Sequence, residues 1–309
     1  SLPVRKPLVK RKYHAAGAQA SNAHYGWIRR KHRIDPEEMK MLKNTIACTL
    51  FLLASVSGVA GQGGPRADEY MRLAEESNKN LKRDDAISYY EKASVEFQAA
   101  GNTEQFINSY NQIGIILTRQ DKYERARTYL DKALSTGLST LGPNHLVVAT
   151  TYLALGVVYA AENKFDQSLE VHNKALKIRL LKLGKYDAQV ATSYGNIGNV
   201  YFRKKDYDRA IETHLIAKQI REKVFGKNSV QVVDSYRGLG NAYREKKSYK
   251  KSLDFFERVL RNKTVQLGQG HRDLAREYKS IGEVYSLMGN KSKAEEYKIK
   301  AEEIERQSK

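Results

Sequence analysis

Seven histidines, one cysteine and a scattering of asparagine and arginine side chains are what this 309-residue sequence offers for chemistry. Metal binding or general-base catalysis would need several such groups at a defined spacing. His14, His24 and His32 stand near the N-terminus, His145 and His271 lie in glycine-containing connectors, and His172 and His214 are 42 residues apart. Recurrence of the last two at one interval points to packing rather than to ligation or catalysis. Cys48 stands alone, which excludes an intramolecular disulfide and a cysteine-based zinc site. No acidic run has the spacing of a calcium loop and no nucleophile has an identifiable base. The Gly-Gln-Gly-Gly run at 61–64 lacks the Lys-Ser/Thr that completes a phosphate loop. No enzyme activity, cofactor or metal is expected, so the chain must act through its surface.

The elements that would shape that surface repeat. Around Gly198, the stretch from Thr192 to Lys218 recurs every 42 residues, with counterpart glycines at Gly114, Gly156, Gly240 and Gly282. Four residues before each glycine stands a tyrosine (Tyr110, Tyr152, Tyr194, Tyr236, Tyr278). Twelve residues after it stands a small residue: Ala126, Ser168, Ala210, Ser252 or Ala294. Within one unit, apolar residues at Tyr194, Ile197, Val200 and Tyr201, then at Tyr207, Ala210, Ile211 and Ala217, have helical spacing, so each unit holds an A helix and a B helix. A polar turn at Lys204–Asp206 separates them. Gly198 and Ala210 are the expected close-approach points, and the Ala/Ser alternation reads as a limit on size. Between units, Leu141-Gly142, Leu183-Gly184, Phe225-Gly226 and Leu267-Gly268 predict a left-handed glycine closing each B helix. Such a pair cannot bury its apolar face alone, so the predicted fold is all-α, a solenoid of stacked antiparallel pairs.

The pattern Tyr-x-x-Ile/Leu-Gly-x-x-Tyr, then Tyr or Phe at 123, 165, 207 and 249, then the small residue and Ala133, Ala175 or Ala217, resembles the tetratricopeptide repeat. Its 42-residue period with a Leu-Gly connector is similar to the repeats of kinesin light chains. The resemblance covers about Asp68 to Glu302 and implies a right-handed superhelix of about six pairs. It also has departures: His172 and His214 replace an aromatic, Lys291 and Lys298 interrupt the last repeat, and the first pair fits only with a spacing of 40. The resemblance further implies a concave groove lined by A-helix side chains. The candidates are Asn111, Gln112 and Arg119; Asn196, Asn199 and Arg203; Arg237, Asn241 and Arg244; and Lys279. Asparagines can pair both donor and acceptor of an extended peptide, and arginines can meet carboxylates. Family members that hold C-terminal carboxylates use a Lys, Asn, Asn, Lys, Arg set. Here Gly195 and Gly238 stand at two of its positions, so that specificity is not expected.

The chain carries a formal net charge of +19, with 29% charged and 41% hydrophobic residues, enough for one extended domain. Residues 1–34 hold Arg5, Lys6, Lys10, Arg11, Lys12, Arg29, Arg30, Lys31 and Arg33 and no acid. This arm is open to three readings: a disordered tail, an organelle-targeting remnant, or an arm bound to an anionic partner such as lipid headgroups or, less favoured, RNA. Residues 44–65 carry no charge. Thr45 to Ala60 would span about 24 Å as a helix against a hydrocarbon core of roughly 30 Å. A single membrane-spanning helix is the leading reading, and an unprocessed signal and a buried soluble helix are its alternatives. The expected organisation is a basic arm (1–43), a transmembrane helix (44–62), a linker (63–67), a solenoid (68–305) and a tail (306–309). The basic bias puts the arm on the inner side, for the mitochondrial inner membrane with the solenoid in the intermembrane space. The function expected is a non-catalytic, membrane-tethered scaffold or accessory subunit of a large mitochondrial assembly, whose partners are other protein subunits or peptide segments. A soluble kinesin-light-chain-like adaptor and a structural protein of an organellar ribonucleoprotein are the alternatives.

Overall fold

The computed structural model describes residues 64–307, which belong to one compact unit, Gly61–Lys309. Twelve α-helices fill the described residues as six pairs. They are α1 Gly64–Lys79 with α2 Arg83–Ala99, α3 Thr103–Arg119 with α4 Tyr123–Thr140, and α5 Leu146–Ala161 with α6 Phe165–Leu183. Then follow α7 Ala188–Arg203 with α8 Tyr207–Phe225, α9 Val233–Glu245 with α10 Tyr249–Leu267, and α11 Ala275–Leu287 with α12 Lys291–Gln307. Single 3₁₀ turns at Val230–Val232 and Arg272–Leu274 introduce α9 and α11. Each pair is joined by three residues, which forces the helices antiparallel, and each B helix then packs on the next A helix. Two junctions also bring A helices together, α3 with α5 and α7 with α9, while no two B helices make a comparable contact. The A helices therefore line the inner side of the curve.

Three devices recur at 42-residue intervals and account for the regular geometry. The turn inside each pair puts one residue into the left-handed region: Leu81 (φ 61°), Asp121 (58°), Asn163 (62°), Lys205 (63°), Lys247 (59°) and Gly289 (77°). The amide three positions past the A helix then reaches back, as Lys164 N–H does to the Tyr159 carbonyl at 2.8 Å, closing a Schellman motif. Leu81 and Asp121 are 40 apart, which is the shorter spacing of the first pair. The connector glycines do take positive φ, but with ψ far from the left-handed helical value. Gly184 lies at φ 78°, ψ 171°, and Gly226 at φ 83°, ψ 155°, a region essentially reserved for glycine. Three residues on, one polar side chain caps each A-helix segment. His145 Nδ1, Asp187 Oδ1, Ser229 Oγ and His271 Nδ1 accept the amides of Val147, Gln189, Gln231 and Asp273. The two connector histidines are thus caps.

The glycine column fits side chains, and the fit differs from expectation. What each glycine admits is the B-helix residue sixteen positions later. A Cβ on Gly114 would stand 2.6 Å from Leu130, on Gly156 2.3 Å from His172, on Gly198 2.8 Å from His214 and on Gly240 2.9 Å from Phe256. The small column at Ala126, Ala210 and Ala294 bears the size limit, with Ala126 and Ala210 fully buried. Its serines add chemistry. Ser168 Oγ donates to the Gly156 carbonyl at 2.7 Å and Ser252 Oγ to that of Gly240 at 2.8 Å, so the alternation is not a matter of size alone. In the last repeat no large side chain enters over Gly282; α12 itself comes close, with the Ala294 carbonyl and Tyr297 Cβ each 3.3 Å from a Cβ placed there, and a groove opens beside it between α11 and α12.

At the N-terminal end α1 begins at Gly64, ahead of the expected Asp68, because Pro65 suits the first helical position and Ala67 is fully buried. α12 runs to Gln307, past the expected end at 305. Among the described residues no helix is long and apolar enough to cross a membrane. The expected transmembrane segment 44–62, the basic arm and Cys48 lie outside the described residues.

Candidate functional site

Following one A-helix position through the repeats shows what the inner face offers. That position holds Ile115, Val157, Asn199, Asn241 and Glu283 on α3, α5, α7, α9 and α11. The face therefore runs from apolar through amide to acidic. α5 has no charged residue at all, and Val157 is 44% exposed on it. The amide section opens into a cavity of about 270 Å³ between α7 and α9, where Asn196, Asn199, Asn241 and Arg237 come together with Thr192 and Asp234. Four of the ten residues expected on the groove thus share one site.

The other six lie elsewhere. Asn111 is 1% exposed, because α3 is clamped between α2, α4 and α5, and neither atom of its amide has a partner. It belongs to the interior, not to the groove. Gln112 is half-buried on α3, and Arg119 is exposed at its end. Arg203 donates to Asn163 Oδ1 at 3.1 Å and stacks 5.5 Å over the Phe165 ring, an intramolecular use of a cation expected to be free. Arg244 is held by Glu283 at 2.6 Å, and Lys279 by Glu305 at 2.6 Å.

Two residues not expected in the site form its floor. The His214 ring is 2% exposed and is pinned on two sides: a Cβ would stand 2.8 Å from it on Gly198 and 2.5 Å from it on Gly238. Neither ring nitrogen has a hydrogen-bond partner. Burial, with a smaller contribution from Arg221, pushes its pKa down to about 4, so the ring is neutral at pH 7. His172, 1% exposed, is likewise pushed down to about 4 by burial and then by Arg179. Arg221, half-buried beside His214, donates through Nη1 to Ser235 Oγ at 2.7 Å, and burial lowers its pKa.

Arg221 also belongs to a ladder that ties each B helix to the following A helix. Arg179 reaches Ser193 at 3.1 Å, Arg221 reaches Ser235, and Lys263 reaches Glu277 at 3.1 Å, again 42 residues apart. Glu277 is fully buried and also receives Arg237 Nη2 at 2.8 Å and Arg276 at 3.5 Å. Burial alone would raise its pKa, but Arg237 and Lys263 outweigh burial and hold it below the usual range. Arg237 is therefore largely a structural cation at the cavity's edge, with Asp234 on its other nitrogen at 3.0 Å. The signal for these ladders was present in the sequence as a third periodic column, but a serine, lysine or arginine every 42 residues does not declare its partner.

Among the described residues no three His, Cys, Asp or Glu side chains gather as a metal site would require. The site can donate and accept hydrogen bonds and hold an anion.

The tetratricopeptide-repeat family matches the chain at residues 105–180 and 189–265. No curated protein sequence matches it. Several solved structures share its fold. The crystal structure of BtubC (BKLC) from P. vanneervenii has a TM-score of 0.61 at 18% identity, over 79% of this chain and 91% of that one. Nearly identical TPR-like repeats of kinesin light chain type from Podosopora anserina give 0.57 at 15% identity, over 66% of this chain and 96% of theirs. Apo RapI gives 0.52 at 15%, over 78% and 97%. Stacked helix pairs, the Tyr and Gly columns, and matches to the repeat across 105–265 converge: this chain is a tetratricopeptide-repeat protein.

Proposed function

We propose that this protein is a non-catalytic scaffold that holds an extended segment of a partner protein along the inner face of its A helices. Tetratricopeptide solenoids are protein-interaction scaffolds, which supports the general role. The observation that carries the reading is the convergence of the Asn196, Asn199 and Asn241 amides on one cavity, with the apolar Val157 and Ile115 at the Asn199 position of the two preceding repeats. An extended strand rises about 3.3 Å per residue and packed helices stand roughly 8–10 Å apart, so successive A helices meet every third residue of a bound segment. Amides on α7 and α9 would pair its backbone, while α3 and α5 would take its apolar side chains.

Selection from a library of random twelve-residue peptides displayed on phage tests this. Enrichment of peptides whose binding falls about tenfold or more with Asn199→Ala or Asn241→Ala is the expected result. Selection that enriches nothing, or peptides indifferent to both substitutions, refutes it.

The finer part of the proposal is that the scaffold is tethered to a membrane by residues 44–62 and serves a large assembly at the mitochondrial inner membrane. Its support is in the sequence: a charge-free stretch at 44–65 that follows an acid-free basic arm. Alkaline carbonate extraction of membranes should leave the protein in the pellet, and its release into the supernatant would refute the tether.

A further inference from the structure

The cavity between α7 and α9 owes its existence to two glycines that break the repeat pattern. Gly195 stands where the previous repeat has Leu153 and the next has Arg237. Gly238 stands where the previous repeat has Asn196 and the next has Ser280. One repeat earlier, with Leu153 and Asn196 in those places, the counterpart arginine, Arg179, is 5% exposed and bonded through Nη1 to Ser193 and the Gln189 carbonyl. With both side chains missing, Arg221 is half-buried and open, and the space above it is lined by Asn196, Asn199 and Asn241.

The floor of the cavity holds unspent bonding capacity. Among the described residues Arg221 makes one hydrogen bond, to the neutral Ser235 hydroxyl, and no ion pair. A cation held in a partly desolvated place without an anion is costly unless an anion completes it. His214 adds an imidazole that is only 2% exposed, with both nitrogens unpartnered beside the same space. Asp234 at the mouth is 78% exposed and paired directly with Arg237; it favours the Arg221 charge through space but makes no ion pair with it.

We infer that this cavity is an anchoring subsite for the carboxylate of an aspartate or glutamate side chain within the bound segment. Arg221 supplies the charge, the asparagine amides and the His214 N–H supply further donors, and the two glycines supply the room. The inference deepens the peptide-holding reading above and rests on it, but its test does not pass through a peptide. A chain-terminal carboxylate and a phosphorylated side chain are the competing sources of negative charge, and each has its own arm.

The full chain is titrated with N-acetylglutamate N-methylamide and with its glutamine counterpart, following the side-chain nitrogen signals of Arg221 and His214. The glutamate derivative should saturate in the millimolar range expected of so small a ligand, and glutamine should bind at least about tenfold more weakly. Arg221→Gln should abolish the difference between the two. Gly195→Leu restores the side chain found at Leu153; the nearest atom to its Cβ is Arg221 Nη1 at 3.9 Å, so the variant should fold and plug the cavity. Binding to it should fall by about tenfold or more. Equal affinity for glutamate and glutamine, or undiminished binding to Gly195→Leu, overturns the inference. So does tighter binding of N-acetylalanine, which carries a terminal carboxylate, or of N-acetylphosphoserine N-methylamide. Failure here with success in the peptide selection removes the subsite alone; the converse removes the groove reading.

Discussion

His172 and His214 show what a single residue does in this fold. Each ring fills the hollow over a glycine that Leu130 fills in one repeat and Phe256 in another, so an ionisable group occupies a hydrocarbon's place. Both are pushed down to about 4 by burial, against an ordinary value near 6.5. The unfolded chain therefore binds more protons than the folded one between these values. Stability is full above about pH 6.5 and falls with pH until about pH 4, by about 3 kcal/mol for each histidine. Urea unfolding across pH 7 to 4 should show this loss. His172→Leu, which copies Leu130, should keep the protein folded at pH 7 and remove about half of the slope. The recurrence of these histidines at one column was enough to assign them to packing. Their unpartnered nitrogens were not legible, because partnership depends on what the neighbouring repeat presents.

At the scale of the helix, α7 carries two glycines with opposite meanings. Gly198 is a contact: an added methyl would meet a ring already held on its far side by Gly238. Gly195 is a gap, with nothing nearer than 3.9 Å to its Cβ position. Gly198→Ala should therefore cost about 1–3 kcal/mol through overpacking, while Gly195→Ala should gain about 0.5–1 kcal/mol by removing a helical glycine. Denaturant midpoints for the two variants distinguish the roles directly, and the same sign for both would contradict the packing described. The helices, their pairing and the glycine connectors were legible because each left a 42-residue rhythm. The caps at His145, Asp187, Ser229 and His271 share that rhythm, but their side-chain chemistry changes at every step and hides it. Likewise the groove residues could be put on the A helices by counting, whereas the burial of Asn111 and the capture of Arg203, Arg237, Arg244 and Lys279 by neighbours depend on cross-repeat geometry.

Across the described residues, stability is shared between neighbours, since the substantial contacts of each pair are with the pairs beside it. The join before α11 is distinctive because it rests on the fully buried Glu277 and the cations around it. Glu277→Gln keeps the shape and removes the charge, leaving Lys263 without a carboxylate and Arg237 with only the exposed Asp234, at a cost of about 3–5 kcal/mol. Hydrogen exchange should then show α11 and α12 losing protection while α3 to α6 keep theirs. Uniform loss along the chain would mean that the repeats unfold as one block. The unequal contacts of the two helix sets have a mechanical consequence. With A helices touching at α3–α5 and α7–α9 and no comparable contact between B helices, small rotations between neighbouring pairs would widen or narrow the arc while keeping each pair intact. The protein is thus built like a leaf spring, and a segment held along its inside would set how tightly it is wound.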